Sequence, residues 1–350
     1  MKTKHSFFFK SSKNMNEIGS ETIDLIVTSP PYPMIEMWDE IFSSQDLRIQ
    51  TAFKNENGKK AFNLIHQYLT QVWNECIRVC KEGGIICINI GDATRKIGKT
   101  FQLYPNHVKI TEFFLANGCI CLPIVLWRKA TNSPTKFMGS GMLAPNAYVT
   151  LEHEYILIIR KGNRKRNFEP NSEKRYQSAF FWEERNKWFS DIWTDITGIS
   201  QEIKHSHLIS LRERSAAFPF ELAYRLINMF SIYGDTILDP FWGTGTTSLA
   251  AMILARNSLG YEINPEFKRI FNQRIENLKE MSNELLTDRI DKHIQFVSQY
   301  SETKDIKYKS VNYQFPVVTK QEKHILFYKI NEIKHLTNSY EISYNKFKSR

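Results

Sequence analysis

An apolar run, Ile23-Asp24-Leu25-Ile26-Val27, ends abruptly on Thr28-Ser29-Pro30-Pro31-Tyr32, and few architectures accommodate that junction. A buried strand that stops at tandem prolines places a rigid turn at the carboxyl end of a sheet, because proline fixes φ and cannot donate to a ladder. That edge is where open α/β sheets bind ligands. Taken alone, the pentapeptide is also compatible with an ordinary turn.

A second segment narrows the reading. Thr236-Ile237-Leu238-Asp239-Pro240-Phe241-Trp242-Gly243-Thr244-Gly245-Thr246-Thr247 reads as a short strand, a glycine loop and a helix start capped by threonine, running into Ser248-Leu249-Ala250-Ala251-Met252-Ile253-Leu254. Glycines allow the backbone to approach a ligand closely, and Asp239 offers acceptor oxygens at the strand end. No Gly-Lys-Ser/Thr follows, so this is not a Walker loop, and the spacing is not G-x-G-x-x-G. The next strand pattern, Asn257-Ser258-Leu259-Gly260-Tyr261, ends on Glu262. A carboxylate there suits the two hydroxyls of a ribose.

Together these segments resemble the beta-class S-adenosylmethionine-dependent DNA amino-methyltransferases, in which an S/D/N-P-P-Y/F motif precedes the target-recognition region and the cofactor loop. Further stretches are similar in the same order: Lys81-Glu82-Gly83-Gly84-Ile85-Ile86-Cys87-Ile88-Asn89-Ile90-Gly91-Asp92, then Trp127-Arg128-Lys129 with Asn132-Ser133-Pro134, then Ala217-Phe218-Pro219-Phe220-Glu221-Leu222. The resemblance covers roughly residues 1–162 and 205–280. It implies a doubly wound, mostly parallel α/β sheet of the class I methyltransferase type, circularly permuted. The expected divisions are 1–162 (catalytic half), 163–206 (target recognition), 207–286 (cofactor half) and 287–350 (an extension of open role).

The resemblance also implies roles. Ser29, Pro30, Pro31 and Tyr32 form the catalytic turn, with Trp127 and Lys129 lining the base pocket. Asp239, Phe241, Gly243, Gly245, Thr246, Thr247 and Glu262 hold S-adenosyl-L-methionine: Asp239 near the methionine amine, Phe241 on the adenine, and the threonines at the helix start and the carboxylate. Two positions depart from the pattern. Lys10-Ser11-Ser12 stands where many relatives carry Gly-Asp, and Arg214-Ser215-Ala216 where His-Pro-Ala is frequent.

The chemistry explains these choices. An exocyclic amine on a base is a poor nucleophile because its lone pair is delocalised into the ring. Acceptors placed at its protons stabilise the positive charge that develops on nitrogen. The Ser29 hydroxyl and the Pro30 carbonyl are the expected acceptors, with Tyr32 stacked on a base extruded from the duplex. Serine in this motif is associated with the cytosine N4 amine and aspartate with the adenine N6 amine. The expected reaction is N4-cytosine methylation of double-stranded DNA in a restriction system. The alternatives are adenine N6 methylation, or a non-catalytic cofactor-binding DNA regulator. No metal is required, and His205-Ser206-His207 is a poor ligand pair.

Bulk properties agree. The chain has 350 residues, 42% of them hydrophobic, and a formal charge of +10, enough for one large domain with an inserted module and suited to a polyanionic partner. No run of eighteen apolar residues suggests a membrane span. Five cysteines, odd in number and within apolar runs, suggest core residues in a reducing cytoplasm of a prokaryote. Along the chain, periodicity predicts a helix over 62–80 stopped by Gly83-Gly84, strands over 85–90, 119–127 and 154–159, and helices over 105–116, 221–230 and 265–286. Arg160, Lys161, Arg164, Lys165 and Arg166 form a basic run, and Tyr176, Phe180, Phe181, Trp182, Trp188, Phe189 and Trp193 follow it. The basic run is expected to contact DNA phosphates. The aromatics suit either a packed module or base stacking.

Overall fold

The computed structural model describes residues 1–129, 138–196 and 218–348. Asn132-Ser133-Pro134, His205-Ser206-His207 and Arg214-Ser215-Ala216 lie outside the described residues.

The amino-terminal half contributes β1 (Lys2–Phe8), β2 (Ile23–Thr28), β3 (Cys80–Ile90), the hairpin β4 (Ala93–Ile97) and β5 (Thr100–Tyr104), then β6 (Cys119–Cys121), β7 (Val125–Arg128) and β8 (His153–Lys161). After β9 (Ile192–Trp193) come β10 (Thr236–Asp239) and β11 (Asn257–Tyr261), the short pair β12 (Tyr308–Lys309) and β13 (Pro316–Val317), and the hairpin β14 (Tyr328–Leu336) and β15 (Ser339–Lys346). Among the described residues eleven strands form one sheet in the order β14-β15-β1-β11-β10-β2-β3-β8-β7-β9, with β6 also paired to β8. The five central strands, β1, β11, β10, β2 and β3, are parallel. The flanking pairings of β15 with β1 and of β8 with β3 are antiparallel. The sheet is therefore mostly parallel at its centre, as expected.

This order positions the site. The chain leaves β2 towards β3 and leaves β10 towards β11, so the connections diverge between β10 and β2. A crevice opens at the carboxyl ends of strands where connections part in this way. The register Leu25 to Ile237 and Ile26 to Leu238 brings the Ser29 turn beside the glycine loop, although about two hundred residues separate them in the chain.

The helices are α1 (Asp39–Gln45), α2 (Leu47–Lys54), α3 (Gly58–Val79), α4 (Asn106–Ala116), α5 (Glu173–Gln177), α6 (Trp182–Trp188), α7 (Phe220–Phe230), α8 (Thr246–Ile253), α9 (Phe267–Glu276) and α10 (Leu278–Ser301). Along β2, Leu25 and Val27 enter a core with α7 and α8, while Ile26 and, across the register shift against β3, Ile23 enter a second core with α3 and α4. Such burial of both faces explains why β2 reads as a near-continuous apolar run.

Three local expectations are corrected. The helix expected over 62–80 begins earlier, at Gly58, where the Asn57 side chain accepts from the Lys60 amide, and it runs directly into β3. Gly83 and Gly84 lie inside that strand, at a register shift against β2, and Gly83 has φ +76°. A Cβ on Gly83 would stand 2.6 Å from the Arg166 amide nitrogen, so the glycine admits the crossing chain. The strand expected over 119–127 is split into β6 and β7 around Pro123, which has no N–H for the ladder. The helix expected to stop near 286 is two helices, and α10 continues to Ser301 because Leu286, Ile290 and Val297 remain buried. Beyond it, the last strand of the 287–350 segment adds to the main sheet, pairing Thr3 with Ile342. Among the described residues no helix is long and apolar enough to cross a membrane.

Candidate active site

A cleft of about 470 Å³ opens at the carboxyl ends of β2, β10 and β11. Its walls include Ser29, Pro30, Pro31 and Tyr32 on one side and Phe241, Gly243 and Glu262 on the other. Trp38, Ile41 and Phe42, from the segment that follows the turn, and Lys10, Ser11 and Ser12 also line it. The two sequence segments that pointed to a split site thus meet in one cavity.

On the cofactor-loop side, geometry follows from a buried carboxylate. Asp239 is only 2% exposed. Its Oδ1 accepts from the Thr28 hydroxyl at 2.7 Å and the Phe241 amide at 3.1 Å, and its Oδ2 lies 2.8 Å from the Thr247 hydroxyl. Asp239 therefore ties the end of β2 to the start of α8. Burial pushes its carboxyl up to about 6 against these three bonds, since no cation pairs with it among the described residues. Glu262 accepts from the Gly243 amide at 2.8 Å and the Asn264 amide at 2.9 Å, and burial again pushes its carboxyl up.

Gly243 and Gly245 both have positive φ, +51° and +75°, but they serve different ends. No atom comes closer than 3.9 Å to a Cβ built on Gly243, whereas one on Gly245 would meet Phe271 at 2.3 Å and Trp242 at 2.9 Å. Gly243 thus faces open space, and Gly245 is required by packing. The expected threonine cap is corrected: Gly245, in the left-handed conformation, is the N-cap residue of α8. Thr247 is fully buried, turned towards Asp239 and the Val27 carbonyl, and the Thr246 hydroxyl accepts from Arg274 at 3.0 Å. Both hydroxyls are engaged inside the protein rather than displayed in the cleft.

On the Ser29 side the site is built from long-range contacts. The Ser29 hydroxyl donates to the Tyr32 phenol oxygen at 3.2 Å, and Tyr32 donates to Glu154 Oε2 at 2.7 Å. Asn89 Nδ2 lies 2.7 Å from each of those two acceptors. Lys129 Nζ donates to Glu154 Oε1 at 2.8 Å. Burial first, and the Glu154 charge second, hold the Tyr32 phenol well above its ordinary range, so it remains a donor. Gly91 makes room for the ring, since a Cβ there would lie 3.0 Å from Tyr32 Cε2. The Asn106 amide fastens the end of the turn, donating to the carbonyls of Pro33 at 3.0 Å and Gly91 at 2.9 Å.

The remaining expected residues are distributed as follows. Lys129 reaches the site through Glu154. Trp127 does not open on the cleft: it is 1% exposed, donates to the Ile196 carbonyl at 3.0 Å, and packs with Trp188 and Trp193 where β9 covers β7. Phe181, Trp188 and Trp193 are likewise buried, which leaves them no face for a base. The basic run lies at the opposite, amino-terminal edge of the sheet, where Arg160 pairs in register with Ile85. There Arg166 holds Asp235 at 2.6 and 2.9 Å, and Lys161 donates to the Cys80 carbonyl at 2.8 Å and to Glu21 at 3.1 Å. In that run, Arg164 and Lys165 are exposed and the other three are intermediate.

Glu154, Asn89 and Asn106 escaped the sequence reading. A signal existed for two of them: each is a polar residue inside an apolar strand pattern, Asn89 in Ile85–Ile90 and Glu154 before Tyr155-Ile156-Leu157-Ile158-Ile159. Buried polar residues require partners, and such partners gather at sites.

Comparison with known proteins agrees with this fold. A family model described as DNA methylase matches residues 23–273. Type II methyltransferase M.MthZI of Methanothermobacter thermautotrophicus is 53% identical over 349 residues, covering 99% of this chain and 96% of the relative. Type II methyltransferase M.MjaI of Methanocaldococcus jannaschii is 51% identical over 284 residues, 78% of this chain and 91% of the relative. Among solved structures, TTHA0409 of Thermus thermophilus, described as a DNA modification methylase and solved with S-adenosyl-L-methionine, superposes with a TM-score of 0.60 at 28% identity, covering 78% of this chain and 94% of that one. The fold is also that of the PvuII DNA methyltransferase, at a TM-score of 0.54 and 17% identity, covering 81% and 93%. The chain belongs to the N6/N4 DNA methylase family, and it is a DNA methyltransferase.

Proposed function

We propose that this enzyme transfers a methyl group from S-adenosyl-L-methionine to the N4 amine of a cytosine flipped out of double-stranded DNA, as the modification component of a restriction system in a prokaryotic cytoplasm. The observation that carries the reading is the placement of the Ser29 hydroxyl in the same cleft as Phe241, Gly243 and Glu262. The cleft fits the cofactor: Glu262 offers half-buried carboxylate oxygens for ribose hydroxyls, Phe241 an aromatic face, and Gly243 an open backbone position. When bound, S-adenosyl-L-methionine supplies an activated methyl on a sulfonium.

The chain's own residues supply the rest. Ser29 and the Pro30 carbonyl accept the protons of the target amine and stabilise the charge that grows on nitrogen. Tyr32, its ring backed by Gly91 and its hydroxyl tethered, forms a fixed stacking surface for the extruded base. Serine at the head of the motif favours cytosine N4; adenine N6 is the second reading, because a hydroxyl accepts a proton from either amine.

Nucleoside mass spectrometry of DNA treated with enzyme and cofactor tests the target. N4-methylcytosine is expected, and N6-methyladenine in its place would overturn the assignment. Ser29→Ala should lower turnover by about 10²-fold or more, the loss typical of one transition-state acceptor or donor, with cofactor binding retained. Turnover equal to wild type would remove Ser29 from the mechanism.

A further inference from the structure

We infer that Glu154, acting through Tyr32, is a positioning residue that makes Ser29 an obligate hydrogen-bond acceptor and so selects an amine over a carbonyl at the reacting position of the base. This rests on the proposed role of Ser29.

The argument is a count of protons and lone pairs. A carboxylate can only accept, so the single Tyr32 hydroxyl proton points at Glu154 Oε2, 2.7 Å away. Asn89 Nδ2, 2.7 Å from the phenol oxygen, donates into one of its lone pairs. The other accepts from Ser29 at 3.2 Å. The Ser29 proton is thereby directed into the protein, and its lone pairs are left for the cleft. An exocyclic amine can donate to such a hydroxyl. A ring carbonyl at the same position would face lone pairs with lone pairs, and an unpaired buried polar group costs about 1–3 kcal/mol.

Glu154 is fixed for this task. It is 5% exposed, lies directly opposite Trp127 in the β7–β8 ladder, and is held by Lys129 at 2.8 Å and Asn89 at 2.7 Å. Buried in this way, the carboxylate has its charge compensated by Lys129, and its second oxygen is reserved for the Asn89–Tyr32 side.

Two substitutions separate direction from mere support. In Glu154→Gln, Lys129 retains the amide oxygen, so the amide nitrogen faces Tyr32 and Asn89; the Asn89 amide turns its oxygen to accept one N–H, and the Tyr32 oxygen accepts the other. Tyr32 can then donate to Ser29, reversing the chain. Tyr32→Phe leaves the Lys129–Glu154 pair intact and removes only the link. In single-turnover methyl transfer on a duplex carrying the site located by modified-base sequencing, both variants should be slower by about 10²-fold, with cofactor affinity within about twofold of wild type. The decisive readout is competition between that duplex and one whose target base carries a carbonyl oxygen in place of the amine, uracil for cytosine or hypoxanthine for adenine. Wild type should prefer the amine about tenfold or more, the equivalent of one unpaired polar group, and Glu154→Gln should narrow that preference. Thermal melting confirms that each variant is folded; if Glu154→Gln unfolds, Tyr32→Phe decides by its rate. Wild-type rate and preference in a folded variant would overturn the inference. If Ser29→Ala is inactive while both variants are fully active, only the positioning role fails; if Ser29→Ala is also fully active, the reading of the site fails.

Discussion

Two pairs of carboxylates, one at each edge of the central sheet, hold their charge in opposite ways, while Glu154 at the carboxyl edge is compensated by Lys129. At the amino-terminal edge, Asp24 lies 2.6 Å from Lys81 and 3.4 Å from Arg166, and Asp235 makes a two-pronged pair with Arg166 at 2.6 and 2.9 Å. At the carboxyl edge, Asp239 and Glu262 have hydroxyl and amide donors but no cation among the described residues. Burial consequently raises both of these carboxyls. Compensated charge holds strands and crossing chain together; for the uncompensated pair we propose a cationic or hydroxyl-bearing ligand, with Glu262 on the cleft wall and Asp239 buried behind it. At the amino edge, Arg166 therefore serves to hold Asp235 and the crossing chain.

The largest effect should come from breaking compensation. Arg166→Ala leaves Asp235 and Asp24 with less positive charge beside them, at a cost of about 3 kcal/mol. Equilibrium urea denaturation should show that loss, while the turnover of the folded fraction stays at the wild-type level. A variant of unchanged stability would make the pair ornamental and erase the contrast between the edges. Next in size, Asp239→Asn removes the waiting charge and disturbs the knot between Thr28 and Thr247. Cofactor affinity measured calorimetrically should fall by about 10²-fold, roughly 2.7 kcal/mol, without a matching loss in melting temperature at neutral pH. Unaltered affinity would show that Asp239 serves only to tie the two strands.

The contrast also explains what could be read from the chain. The Ser29 turn, the glycine loop and Glu262 were legible because each is a local unit: a buried strand, an abrupt stop and a residue type suited to one task. The adjacency of β2 and β10, which brings these units together, came from the sheet order. Glu154 and Asn89 were not legible as partners of Tyr32, since their meeting depends on the antiparallel placement of β8 beside β3, which no local pattern encodes. The basic run shows the converse. Arg166 and Lys165 look alike in sequence, yet one is paired across 69 residues with Asp235 and the other is exposed. Thr246 misled for a simpler reason. A threonine at a helix start resembles a cap, but the left-handed Gly245 already occupies that position, and packing of Phe271 against it admits only glycine.

The two smallest expected effects sharpen the assignment of the edges. Asp239 has a folded value of about 6 against the ordinary 3.8, so the cofactor-free protein takes up a proton there between those values. The associated stability is fully present below about 3.8 and is lost as pH rises through about 6. On the proposed role of Asp239, binding of a cationic cofactor has the opposite dependence, since it draws on the ionised form: affinity should fall by up to about tenfold for each pH unit below 6 and be flat above it. A calorimetric titration series checks this, and a flat profile would separate Asp239 from the ligand. The last test concerns Arg164 and Lys165, exposed at the amino edge on the far side of the sheet from Ser29. Each DNA phosphate that a variant no longer neutralises lowers the dependence of log affinity on log salt by about 0.9. If the duplex lies over the carboxyl edge, replacing both residues by alanine leaves that slope unchanged and DNA affinity within about twofold. A slope reduced by nearly two would put DNA against both edges at once, which would require the duplex, or a second one, to wrap around the sheet.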